Sequence, residues 1–157
     1  MVNVLFVCLG NICRSPTAEG VFGNIVKKYG LSNRISIDSA GTGNWHLGNP
    51  PDQRAIEAAS KRSIDIRHLR ARRFSSSDFL KFDYILAMDR QNLSYIRRSC
   101  PVSFNGHLGL LLDFLGENNL YDVPDPYYSG DHGFEIVLDL VFEAVENLFQ
   151  HILKHHI

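Results

Sequence analysis

Long apolar runs are missing from this 157-residue chain. Nothing approaches the roughly 20 consecutive apolar residues that cross a bilayer as a helix, so no membrane partner is expected. Cysteine is scarce as well: three residues do not make a disulfide framework, and they fit a reducing, cytoplasmic setting. Neither sign of charge is in excess, since 16 Lys and Arg stand against 17 Asp and Glu for a net charge of −1. That balance argues against a general nucleic-acid binder, and the basic clusters at residues 67–73 and Arg97-Arg98 read as solvated surface. The opening Met1-Val2-Asn3-Val4 has neither the basic region nor the cleavage site of a signal peptide. Repeats and low-complexity stretches are also lacking, as are the GxxxxGK[ST] and GxGxxG loops of nucleotide-binding proteins. What is present is a chain of 45% hydrophobic and 21% charged residues. It is long enough for one well-packed domain over residues 1–157 and too short for two ordinary ones.

Strand and helix signals alternate along that chain, the pattern of an α/β fold with a parallel sheet and helices on both faces. Residues 2–7 form an apolar strand. Residues 16–29 have helical apolar spacing through Ala18, Phe22, Ile25, Val26 and Tyr29, with Gly30 as the stop. Residues 34–39 alternate as a second strand, and 40–51 hold enough Gly and Pro to be a loop. A helix starting at an Asp52 cap follows over 52–62. A helical turn is expected over 75–79, with Ser75 and Asp78 in a capping arrangement. Residues 82–87 are the third strand and 91–98 a helix. Residues 107–112 read as a fourth strand, although the Leu run there begins a helix equally well. A loop spans 121–133, and an amphipathic helix over 134–154 presents Ile136, Leu140, Val141, Ala144, Leu148 and Ile152 as one stripe.

The most informative segment is Val7-Cys8-Leu9-Gly10-Asn11-Ile12-Cys13-Arg14-Ser15-Pro16, which joins the first strand to the first helix. Five residues separate Cys8 from Arg14, enough for a tight loop whose amides, from Leu9 to Ser15, turn inward. Such a nest binds a tetrahedral oxyanion, and the helix beginning near Pro16 adds its positive end. The same features favour a thiolate at Cys8 and make it a nucleophile. Arg14 offers a planar fork for two phosphate oxygens, and the Ser15 hydroxyl can donate to the sulfur. Gly10 and Asn11 tolerate the left-handed backbone angles that such a loop needs. A nucleophile in a phosphate cradle points to phosphoryl transfer through a phosphocysteine. A lone C-x5-R pattern also arises in ordinary turns with buried cysteines; the strand before it and the Ser-Pro after it favour catalysis.

The mechanism needs an acid to protonate the leaving oxygen and then to activate water. Asp125, held between Pro124 and Pro126, is the first candidate. Asp89 is the second, although it reads first as the N-cap of the following helix. In open parallel sheets ligands bind beyond the carboxyl ends of strands, which brings Cys8, Ser39 and Met88-Asp89 to one rim. At the C-terminus, His151 and His155 are one helical turn apart, a chelating spacing. No carboxylate or Cys stands in register to complete a site, so these histidines read as an exposed helix end favoured by the dipole, and no metal is assigned.

Together with Asp38-Ser39-Ala40-Gly41-Thr42, Gly48-Asn49-Pro50-Pro51-Asp52, Phe82-Asp83-Tyr84-Ile85-Leu86-Ala87-Met88-Asp89 and Asp125-Pro126-Tyr127-Tyr128, the Cys8 segment resembles the low-molecular-weight protein tyrosine phosphatase family. The segments run in the family's order over almost the whole chain. The resemblance implies a flavodoxin-like four-stranded parallel sheet in the order 2-1-3-4, with no metal and no cofactor. It implies Cys8 as nucleophile, Arg14 as clamp on the phosphate and transition state, and Asp125 as general acid and base. Asn11, Ser15, Ser39 and His68 match positions that buttress the loop by hydrogen bonds; on its own, His68 reads as a surface residue in a basic run. Cys13 matches a second loop cysteine, able to form a reversible disulfide with Cys8. Trp45 and Tyr127 match aromatic positions at the mouth of a cleft that suits a phosphophenyl ring. The resemblance also makes Tyr128, and Tyr127 beside it, candidate phosphorylation sites. The stretch from Ala40 to His46 looks more like bacterial members. Implied partners are phosphotyrosine proteins, a bacterial tyrosine kinase among them, with inorganic phosphate and similar oxyanions as inhibitors.

Two relatives of the same fold compete with this reading. Arsenate reductases relay a disulfide through further cysteines, and here residues 82–89 have none and Cys100 stands alone before Pro101. Protein-arginine phosphatases carry Thr where this chain has Ile12. A non-catalytic phosphate-binding module would be expected to lose the thiol or the acid, and a redox sensor built on Cys8 and Cys13 would not need Arg14 or Asp125.

Overall fold

Strand β1 (Val2–Cys8) is apolar at nearly every position because both of its faces are covered. In the computed structural model, which describes residues 1–116, 120–128 and 130–157 and leaves out the side chains of Tyr128 and Asp131, Val4 and Phe6 pack on one side and Leu5 and Val7 on the other. The first side is closed by α1 (Arg14–Lys28), α2 (Gln53–Ser60) and α5 (Asp131–His156). The second is closed by α3 (Asp78–Lys81) and α4 (Arg90–Arg97). Strands β2 (Ile35–Gly41), β3 (Tyr84–Ala87) and β4 (His107–Leu110) complete a parallel sheet in the order β2-β1-β3-β4. The fold class and strand order implied by the sequence are those observed.

Element boundaries differ in instructive ways. Helix α1 opens at Arg14, two residues before the predicted start, so Pro16 sits inside the first turn. Proline is tolerated there because the first N–H groups of a helix have no intrahelical acceptor. The Leu run after β4 is a short 3-10 helix (Leu111–Leu115), entered where the Asp113 carboxylate accepts the Leu110 N–H at 3.1 Å. The Ser75–Asp78 relationship runs through the aspartate, whose carboxylate accepts the Ser75 N–H at 2.9 Å ahead of α3. On α5 the buried stripe passes through Val137, Val141, Ala144, Leu148 and Ile152, and Ile136 lies outside it, exposed.

The C-terminal histidines do not form a free helix end. His156 Nε2 and the Tyr84 hydroxyl are 2.8 Å apart, His151 stacks on His155, and His151 also meets the rings of Tyr84 and Phe114. This cluster lies at the amino ends of β3 and β4, opposite the rim where Cys8, Gly41 and Ala87 end their strands. No helix among the described residues is long and apolar enough to cross a membrane.

Candidate functional site

Cys8 is the last residue of β1, and the chain turns within residues 9–13 before α1 begins. The left-handed conformation falls on Asn11, at φ 58°. Gly10 has no positive φ; its lack of a side chain makes room instead, since a Cβ there would stand 3.1 Å from His46 Cδ2. Gly41 matters more. A Cβ on it would come within 2.8 Å of the Leu9 carbonyl oxygen, so the loop rests on the end of β2 at backbone distance. Thr42 N–H donates to Cys8 O and Gly43 N–H to Leu9 O, each at 2.9 Å.

Cys8 is only 2% exposed, and two donors converge on its sulfur: the Ser15 hydroxyl at 3.0 Å and the Asn11 N–H at 3.3 Å. The direction of the first follows from the groups behind it. Asn11 Nδ2 donates to Ser15 Oγ at 2.8 Å and to Ser39 Oγ at 3.0 Å. Ser15 oxygen therefore accepts, and its one proton faces the Cys8 sulfur at 3.0 Å and, at the longer 3.5 Å, the Ala40 carbonyl oxygen. Ser39 in turn donates to Glu19 Oε1 at 2.6 Å, and Asn11 Oδ1 accepts the Arg72 N–H at 2.9 Å. Burial pushes the Glu19 carboxyl up to about 7; the Ser39 hydrogen bond opposes this, the Asp38 charge adds to it, and Arg72 opposes it.

Asn11, Ser15 and Ser39 thus meet in one hydrogen-bond network. His68 does not join it: the residue is exposed, and no described hydrogen bond ties it to the loop. The segment turns Leu69 and Ala71 toward the core, which leaves His68 pointing outward. Glu19 fills the supporting position instead. It lies four residues after Ser15, on the same face of α1, and that i, i+4 spacing was the available signal.

Arg14 is also nearly fully buried and is held from three sides. Its Nη1 donates to Asp89 Oδ2 at 2.6 Å and to the Val123 carbonyl at 3.1 Å, and its Nη2 reaches Asp125 Oδ2 at 3.5 Å. Burial disfavours its charge, but the Cys8 sulfur and the Asp89 carboxylate outweigh burial and raise its pKa further. Asp89 also caps α4 as expected, accepting the Asn92 N–H at 2.7 Å. The Asp125 loop is tied to β3, because Val123 N–H donates to Met88 O at 2.8 Å. The turn after Asp125 is held by Arg54, which donates to Tyr127 O at 3.1 Å and lies over the Tyr127 and Phe134 rings. Nothing in the sequence singled out Arg54.

These residues enclose a cleft of about 360 Å3 lined by Cys8, Cys13, Arg14, Trp45, Asp125 and Tyr127, with Leu9, Gly10 and Ile12 also on its wall. Trp45 is 69% exposed, so the sulfur lies deep and the aromatic groups stand at the mouth. His46 and Tyr127 face each other there with ring centres 6.1 Å apart. Cys8 and Cys13 are both free thiols. Burial, then the Asp52 charge, push the Cys13 thiol far above its ordinary range. The Tyr128 side chain lies outside the described residues. Among the described residues no three His, Cys, Asp or Glu side chains are grouped to hold a metal.

The profile of the family described as low molecular weight phosphotyrosine protein phosphatase matches residues 3–156. The chain is 44% identical over 154 residues to the low molecular weight protein-tyrosine-phosphatase YfkJ of Bacillus subtilis, covering 98% of this chain and 97% of the relative. It is 51% identical over 134 residues to a low molecular weight phosphotyrosine protein phosphatase of Schizosaccharomyces pombe, covering 85% of each. The crystal structure of YfkJ superposes with a TM-score of 0.94 at 43% identity, over 100% of this chain and 98% of the other. A Drosophila arginine phosphatase, DARP, superposes with a TM-score of 0.89 at 33% identity, over 96% of this chain and 97% of that one. With a family profile and relatives that cover nearly its whole length, the chain belongs to the low molecular weight phosphotyrosine protein phosphatase family.

Proposed function

We propose that this protein hydrolyses phosphotyrosine in proteins through a phosphocysteine intermediate. The observation that carries the reading is the convergence of two donors on the buried Cys8 sulfur, with Arg14 and Asp125 facing the same cleft. In the first step the Cys8 thiolate attacks phosphorus, the P–O bond to the phenol breaks, and Asp125 gives its proton to the departing oxygen. Arg14 spans the equatorial phosphate oxygens during the transfer. In the second step the Asp125 carboxylate takes a proton from water, the water oxygen bonds to phosphorus, and the sulfur leaves as a thiolate that Ser15 and the Asn11 amide receive. Inorganic phosphate is released, and it and similar oxyanions compete for the same cradle.

Depth selects the substrate. A buried sulfur below a rim of Trp45 and Tyr127 suits a phosphate carried on a flat ring, and leaves a short phosphoserine short of the nucleophile. The natural substrates are phosphotyrosine proteins, a tyrosine kinase of the same cell among them, in a reducing cytoplasm that keeps the three thiols free. Tyr127 and Tyr128, on the turn after Asp125, are acceptors for such a kinase.

The similarity to DARP makes phosphoarginine the second substrate to test. Ile12 on the cleft wall is bulky and has no hydroxyl, which favours the phenyl ester over the guanidinium. Phosphate release from matched phosphotyrosine, phosphoserine and phosphoarginine peptides, with EDTA present, decides between them. Selective turnover of phosphotyrosine is expected. Preference for phosphoarginine would overturn the role given to Ile12, and turnover of none would overturn the hydrolase reading.

A further inference from the structure

On its α4 side the cleft continues past Asp125. A second hollow, about 450 Å3, shares Leu9, Arg14 and Asp125 with it and runs by Thr42 to Tyr95 and Arg98 on or just beyond α4. A third begins at Tyr95 and Arg98 and reaches Ser75 and Ser76. Shared lining residues make the three neighbours, a trough-like row leading away from Cys8. Trp45, His46 and Tyr127 line the first hollow and neither of the other two.

Charge changes along this trough. At its inner end Arg14 is offset by Asp89 and Asp125. At its outer end two cations flank Tyr95: Arg98, and Arg73, whose Nη2 donates to the Tyr95 hydroxyl at 3.2 Å. Among the described residues neither meets a carboxylate, whereas Arg54, Arg62, Arg67, Arg72 and Arg90 each do. The basic run at 67–73 is largely exposed, as the sequence suggests, but not uniform in charge: Arg67 and Arg72 are paired where they stand, and among the described residues Arg73 meets no carboxylate. Unpaired cations beside a groove raise the local concentration of anionic groups.

We propose that this trough holds one flank of the substrate chain and that Arg73 and Arg98 select an acidic side chain on it. The inference rests on the phosphotyrosine reading and adds a sequence preference to it. The selected residue is not the immediate neighbour of the phosphotyrosine, because the inner-end cation, Arg14, is already paired with Asp89 and directed at the phosphate.

The test walks a single glutamate through an alanine-based phosphotyrosine peptide, on both sides of the phosphotyrosine. The readout is the ratio of kcat/KM for each glutamate peptide to that of the all-alanine peptide. The ratio is expected to rise about two- to fivefold per exposed ion pair formed, on one side only, and to fall as salt is added. In the Arg73→Ala, Arg98→Ala double variant it returns to one, and in Arg98→Glu a lysine peptide is preferred. A ratio of one at every position in the unaltered protein, or a preference that survives the double substitution, overturns the inference. Turnover of the all-alanine peptide separates the two readings: if it is hydrolysed without any flank preference, only the trough assignment falls. If neither it nor a simple phenyl phosphate is hydrolysed, the phosphotyrosine reading falls and takes this one with it.

Discussion

Asp89 joins two functions in one carboxylate: Oδ2 accepts the Arg14 guanidinium at 2.6 Å while Oδ1 accepts the Asn92 N–H that opens α4 at 2.7 Å. The helix cap thereby orients the arginine of the phosphate loop. Asparagine caps as well as aspartate but carries no charge. Asp89→Ala is expected to lower unfolding free energy by about 3 kcal/mol, since it leaves a buried guanidinium short of a partner and removes the cap. Asp89→Asn is expected to recover about 1 kcal/mol of that through the cap, while kcat/KM for phenyl phosphates stays reduced in both. Urea unfolding and steady-state kinetics on the pair read the two effects apart; equal stability of the two variants would refute the capping role.

Cys8→Ser should lower turnover by about 10^4-fold or more, because the nucleophile and its leaving sulfur are lost together. Asp125→Ala should keep substrate affinity and lower kcat by about 10^2- to 10^4-fold, the range of a general acid. The loss is expected to shrink for esters whose phenolate leaves without a proton. A uniform loss across leaving groups would assign Asp125 a structural role only.

Glu19 predicts a pH dependence of stability. Its folded pKa, about 7, lies above the ordinary 4.5, so between those values the folded protein holds a proton that the unfolded chain has released. Stability contributed by this group is fully present below about pH 4.5 and is lost as pH rises through about 7. The loss is on the order of 3 kcal/mol. Glu19→Gln should remove that slope, which urea unfolding across this range measures. Parallel curves for the two proteins would show that the carboxyl does not titrate as its burial requires.

Cys13 holds its proton at neutral pH, because its surroundings raise its pKa so far. Iodoacetamide should therefore modify Cys8 before Cys13. Peroxide oxidises the Cys8 thiolate to a sulfenic acid, and attack by the Cys13 sulfur then expels water and leaves a Cys8–Cys13 disulfide. That second step must first deprotonate Cys13, so its rate is expected to climb with pH. Mass spectrometry after peroxide should find the disulfide and its reversal by reductant. In Cys13→Ser the same treatment should carry Cys8 on to irreversible acids, with no recovery of activity.

Much of this protein could be read from contiguous residues. The strand before Cys8, the loop through Asn11 and the helix after Arg14 are local in sequence, so backbone propensity and spacing there indicate the strand–loop–helix turn that the structure has. The alternation of apolar strands and amphipathic helices specifies a parallel sheet for the same reason. The flanking prolines marked Asp125, which the structure places on the cleft wall, whereas Ser39 lies two residues inside β2 and not at the strand end the sequence suggests. Other assignments depended on which elements become neighbours. Only the pairing of β1 with β3 brings Asp89 and the Val123 carbonyl to Arg14, and only the packing of α1 against β2 sets Glu19 under Ser39. His68 and Leu69 are adjacent in sequence, and tertiary packing alone decided which of them turns inward. Arg73 and Arg72 carry the same charge side by side, yet carboxylates from β2 and α3 neutralise only one. Local chemistry determined what kind of site this chain builds; long-range packing, which no short window of residues encodes, decided which side chains support it.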